Sequence, residues 1–131
     1  MTVYLDAVQL QAMNKQLLAG TGERSFVRNS AGLDSIENLP KQRFFGTEAY
    51  PSLPAKLGIT YIKLINLHCF EDANKRTAAL ALAMLADLNG WVLTYSNEEL
   101  ADLTIKVAAL NDAQLDYDAL YLAIENHLQP R

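Results

Sequence analysis

Residues 67–90 read LHCFEDANKRTAALALAMLADLNG. The first ten positions hold a histidine, an acidic pair, an asparagine and two cations; the rest is almost purely apolar. The apolar run predicts a helix that starts around Ala73–Asn74 and stops at Asn89-Gly90, a C-cap pair. Its middle, TAALALAMLA, is apolar on every side, the pattern of the buried central helix of a bundle. The polar knot therefore falls at that helix's N-terminus, where backbone N–H groups lack partners and the helix dipole is positive. Lys75 and Arg76 lie in the first turn, where cations are unfavourable unless an anion joins them. Asp72 is a hard-oxygen ligand of the kind that holds Mg2+ beside phosphate oxygens, and His68 is of the one side-chain type suited to act as a base at neutral pH. Together they describe a rigid apolar post carrying a phosphate cradle with a base beside it, an arrangement suited to transfer from a magnesium nucleotide to a hydroxyl.

Taken singly, each residue also has a structural explanation. Asp72 can be an N-cap, Lys75 and Arg76 a solvated face, His68 a helix-end residue, and Cys69 a small buried hydrophobe. Zinc is disfavoured, because His68 and His127 are the two histidines and Cys69 is the one thiol.

Composition narrows the classes. A chain of 131 residues predicts a single domain, 1–131, long enough for a core without staples. Half the residues are hydrophobic and a fifth charged, which argues against disorder. A net charge of -4, with pI near 5.0, is not the footprint of a direct nucleic-acid binder. The lone cysteine fits a reducing compartment. Asp6 interrupts the first apolar residues, unlike a signal peptide, and Ala78–Leu88 is too short to span a bilayer. The expectation is a cytoplasmic protein with no membrane partner.

Elsewhere, Asp6 caps a first helix that Gly20 closes, and residues 19–31 read as a loop. A short helix spans about Gly32–Leu39. The stretch KQRFFGTEAYPS (41–52) reads as an extended or hairpin-like element rather than a helix. Ser52, with Pro54 in the first turn, starts a helix that expires near His68. WVLTYS (91–96) is an extended connector. Ser96 and Glu99 form a capping box for a helix through Leu110, and a last helix runs from about Asp116 to Leu128.

The segment HCFEDANKR (68–76) resembles the motif of the Fic/Doc family, H-x-F-x-[DE]-[GA]-N-[GK]-R, through His68, Phe70, Asp72, Ala73, Asn74, Lys75 and Arg76. Lysine after the asparagine resembles the Doc (death-on-curing) branch, the toxin halves of toxin–antitoxin pairs. VYLDAVQLQAMN, FFGTEAYPSLPAKLG, LNGW and ELADLTIKVA are also similar to family segments. The resemblance implies an all-α Fic-like bundle around a buried central helix, with a small flap hairpin. It implies ATP and Mg2+, a protein substrate, and a cognate antitoxin. Doc-type members are described as kinases that phosphorylate a threonine of elongation factor Tu, inhibiting translation; Fic-type members transfer AMP. Carried over, His68 is the general base, Asp72 the Mg2+ ligand, and Asn74, Lys75 and Arg76 the phosphate cradle. Phe70 is the apolar anchor, and KQRFFGTEAY the flap that binds an extended target. Cys69 stands where proline is common, Ala73 where Fic enzymes have glycine, and Ala79 where many carry a second arginine. Lys75 and Ala79 both disfavour the AMP-transfer pose. The expected function is a Doc-type kinase toxin; the alternatives are an adenylyltransferase and a non-catalytic corepressor that binds the antitoxin.

Overall fold

A computed structural model describes residues 1–131. Local capping chemistry sets most of its helix starts. At the head of α1 (Ala7–Leu18), Asp6 accepts from the Gln9 N–H while the Gln9 side chain accepts from the Asp6 N–H. Asn29 caps α2 (Ser30–Asn38), two residues earlier than the predicted start at Gly32. The cap explains the glycine: a Cβ at Gly32 would lie 2.4 Å from the Asn29 amide nitrogen. The hairpin is present as β1 (Arg43–Phe44) and β2 (Thr47–Glu48), turning through Phe45 and Gly46, both at positive φ. Ser52 caps α3 (Leu53–Asn66), with Pro54 in its first turn as expected.

After α4 (Asn74–Leu88), Gly90 at φ +84 turns the chain into β3 (Trp91–Leu93). The Ser96–Glu99 capping box starts α5 (Asn97–Ala108), which ends two residues before Leu110. Asp116 caps α6 (Tyr117–Asn126). The chain then forms β4 (Leu128–Pro130), which pairs antiparallel with β3, Leu93 opposite Leu128. The stretch read as a connector is thus half of a second two-stranded sheet, and the last helix stops at Asn126 rather than Leu128. Its partner lies almost forty residues away, beyond the reach of a local pattern.

One cluster of buried side chains holds the helices together. The most enclosed helix is α3, which buries Leu57, Tyr61, Ile62, Leu64 and Ile65 among others. α4 packs on α1, α3, α5 and β3, burying Thr77, Ala78, Ala81, Leu82, Leu85 and Ala86. Its small residues allow that close approach. Its remaining flank is open: Met84 and Leu88 are exposed, and an apolar groove of ≈ 390 Å³ runs between α4 and α5. The central helix is therefore not enclosed all round, because no element packs over the flank that carries Met84 and Leu88. No helix is long and apolar enough to cross a membrane.

Candidate active site

Between α3 and α4 the chain makes a tight loop, and three separate devices hold it. Three backbone groups of residues 26–29 act first: the Cys69 carbonyl accepts from both the Arg28 and Asn29 N–H groups at 2.8 and 3.1 Å, and the Phe26 carbonyl accepts from the Glu71 N–H at 3.0 Å. Asn74 is the second device. Its Oδ1 accepts from the Phe70 N–H at 3.0 Å and its Nδ2 donates to the Phe70 carbonyl at 2.8 Å. The third is Asn14, fully buried in α1, whose Nδ2 donates to the Asp72 carbonyl at 2.8 Å and to the Thr77 hydroxyl at 3.1 Å. Ser25 completes this network by donating to Asn14 Oδ1.

Beneath the loop, Cys69 and Phe70 are fully buried. Burial pushes the Cys69 thiol up to about 11, so the small-hydrophobe reading of this residue holds. With these two side chains in the core, their neighbours His68, Glu71 and Asp72 are left exposed. His68 sits at φ +48 and Ala73 at φ +61, left-handed conformations that cost a residue with a Cβ about 1–2 kcal/mol each. The backbone hydrogen bonds around them hold that strain in place.

The start of α4 differs from every other α-helix start in the molecule. Its cap position is Ala73, which offers no side-chain cap. Asp72 is one residue too early to serve: its Oδ1 accepts from the Ala73 N–H at 2.7 Å, so the capping reading of Asp72 fails. No side chain caps the first turn of α4, and Lys75 and Arg76 within it are both exposed and neither in an ion pair. Two free cations and uncapped N–H groups at the positive end of a dipole make a strong anion site.

His68, Asp72, Asn74, Lys75 and Arg76 all line one cavity of ≈ 610 Å³. Phe70 lies outside it, in the core. The sequence placed Asn74 in the phosphate cradle; here its amide is bound to the Phe70 backbone, and one amide hydrogen remains for a ligand. Two lining elements were missed. Glu71 sits inside the motif without a fixed identity, and Ala108, Leu110, Asn111 and Asp112 form the far wall from the α5–α6 connection. Asp112 ties that wall to α3 through Asn66 Nδ2 at 3.1 Å and Lys63 Nζ at 3.6 Å. The hairpin lines no part of the cavity.

The family model described as the Fic/DOC family matches residues 4–86, well over half of the chain. The chain belongs to the Fic/DOC family. A search of curated proteins gives no match. The matched span runs from before α1 to near the end of α4, so it contains the whole loop and its three supports. Fic/Doc domains are in general transferases that move AMP or phosphate, with ATP as substrate, and they are often paired with an antitoxin. The α5–α6 wall lies outside the matched span.

Proposed function

We propose that this protein is a Doc-type kinase toxin, which transfers the γ-phosphate of ATP to a serine or threonine hydroxyl of a translation factor. By the family resemblance that factor is elongation factor Tu, and a cognate antitoxin holds the activity in check. The observation that carries this reading is the sharing of one cavity by His68, Asp72 and an uncapped helix start with two unpaired cations. His68 takes the proton of the target hydroxyl as its oxygen bonds to the γ-phosphorus; the bond to the β-phosphate oxygen breaks and ADP departs. Lys75, Arg76 and the α4 N–H groups hold the phosphate charge. Phe70 anchors the loop, and Asn74 positions it through the Phe70 backbone.

The donor set suits Mg2+ that arrives with the nucleotide. No group of three or more His, Cys, Asp or Glu side chains stands ready to hold a metal by itself. Asp72 keeps one carboxylate oxygen free of hydrogen bonds from the protein, one hard ligand to add to phosphate oxygens. Bound there, the ion would neutralise charge on the phosphates.

Phosphate transfer is favoured over AMP transfer by two side chains. Lys75 fills the position where close backbone approach would need glycine. Ala79 borders the α4–α5 groove and supplies no clamp for a far phosphate. The test uses γ-labelled and α-labelled ATP in parallel on a translation lysate. Label should appear on a protein from γ-labelled ATP alone, and His68→Ala should lower the rate by about 10²–10⁴-fold with an unchanged melting temperature. Label from α-labelled ATP alone would replace the kinase with an adenylyltransferase. Transfer by His68→Ala at the wild-type rate would remove His68 as the base.

A further inference from the structure

A second concave site lies apart from the His68 cavity, where the hairpin meets the start of α3 and the outer face of α6. It is a groove of ≈ 510 Å³ walled by Tyr50, Tyr117 and Tyr121. Two of these walls are fixed. The Tyr121 ring lies against the backbone of Gly58 so closely that a Cβ there would sit 2.4 Å from it. Tyr117 meets Tyr121 edge-on at 6.3 Å, and its hydroxyl donates to Asp112 at 2.8 Å. The third wall is held through its backbone, because the buried Lys56 ammonium donates to the Tyr50 carbonyl and pairs with Glu48 at 3.2 Å.

The charged side chains that line the groove are both acidic. Asp118 and Glu125 line it from α6, both exposed and neither in an ion pair, and no lysine or arginine lines it. Rings present a negative face, and carboxylates at the edge of a partly dry groove add to that field. Tyr117 already carries one cation, Lys63 Nζ at 5.7 Å from its centroid, whereas Tyr50 and Tyr121 carry none. The groove is also continuous with the hairpin. Ala49 extends the hairpin's ladder by donating to the Gln42 carbonyl at 2.9 Å, and Tyr50 follows directly.

We propose that this groove is a recognition site for a lysine or arginine side chain of a protein partner, carried on a segment that lies along the hairpin. That the partner is the substrate rests on the transferase reading above; the preference for a cation does not. Rigid aromatic walls cost little ordering on binding, and an alkyl stem capped by a charge fits a space with apolar sides and an acidic edge.

The experiment titrates isotope-labelled protein with an end-blocked tri-arginine peptide and follows backbone and tyrosine resonances. Shifts should concentrate at Tyr50, Gly58 and Tyr121, and a tri-glutamine peptide should leave them unmoved. Asp118→Asn with Glu125→Gln should weaken binding at least about fivefold. The same charge change outside the groove, Asp34→Asn with Asp102→Asn, should alter it by less than about twofold, as expected for screened distant charges. Tyr50→Leu, which keeps the charge, should also weaken it. Equal losses in the two double variants, or shifts centred elsewhere, would overturn the proposal. In the transfer assay the groove variant should raise the KM for the protein substrate and leave kcat unchanged. An unchanged KM would sever the groove from the substrate. If wild type transfers no label, the kinase reading fails and the titration alone decides the groove.

Discussion

Asn14 reaches from α1 to the Asp72 carbonyl, fifty-eight positions along the chain, and so helps to fix where the acidic residue sits. A buried amide of this kind is costly to leave half-partnered. Asn14→Ala removes its bonds to Asp72, Thr77 and Ser25 and strands their polar groups. The expected loss is about 2–3 kcal/mol, read as a lower urea midpoint; an unchanged midpoint would mean that water replaces the amide without cost. Arg76 makes the opposite case. It holds no partner in the folded protein, so Arg76→Ala should leave stability alone and weaken ATP binding by roughly 1.5–3 kcal/mol, the range of charge-assisted hydrogen bonds. Calorimetry showing wild-type affinity would take Arg76 out of the phosphate cradle.

Helix on helix, α6 approaches α3 closely at Gly58, where the Tyr121 ring and the Ile124 side chain meet bare backbone. Gly58→Ala offers a gain in helix propensity, about 1 kcal/mol for an exposed site. The new methyl would meet Tyr121 ring atoms at 2.4 and 2.6 Å and Ile124 at 3.4 Å. Overpacking of this kind costs about 1–3 kcal/mol, so the net effect should be destabilising, with the loss appearing in thermal unfolding. A stabilised variant would show that α6 slides freely on α3. The start of α4 shows a different element-scale choice. Five helices cap their first turn with a side chain; α4 instead spends Asp72 on the Ala73 N–H and leaves its own donors open. Stability that a cap would supply, about 1 kcal/mol, is forgone where an anion can replace it.

Across the whole molecule, the core carries protons that it holds more tightly folded than unfolded. Burial pushes Cys69 from an ordinary 9.0 to about 11 and Tyr61 from 10.0 to about 12, the latter despite a hydrogen bond with Thr104 at 2.6 Å. A folded pKa above the unfolded one contributes stability that is complete below the unfolded value and is lost as pH rises toward the folded value. The urea midpoint should therefore be flat with respect to these groups up to about pH 8 and fall between about pH 9 and 11. A flat profile across that window would mean that the two groups reach solvent without unfolding.

The sequence by itself determined what depends on neighbours within a turn or two: the caps at Asp6, Ser52, Ser96 and Asp116, a non-helical, hairpin-like stretch within residues 41–52, and a helix start rich in anion-binding groups. Such features rest on backbone donors and side chains four residues apart at most, so a local pattern contains all their causes. Tertiary structure decided the rest. The periodicity of α4 shows that all its faces are apolar, but only the packing of the other elements leaves one of them uncovered. Asn74 is polar in any reading, and only the fold of the loop turns its amide onto Phe70 instead of outward. Asn14, the β3–β4 pairing and the α5–α6 wall follow the same logic. Each is a polar or backbone group whose partner lies far along the chain, and burial, which forces every such group to find one, acts only once the chain has folded.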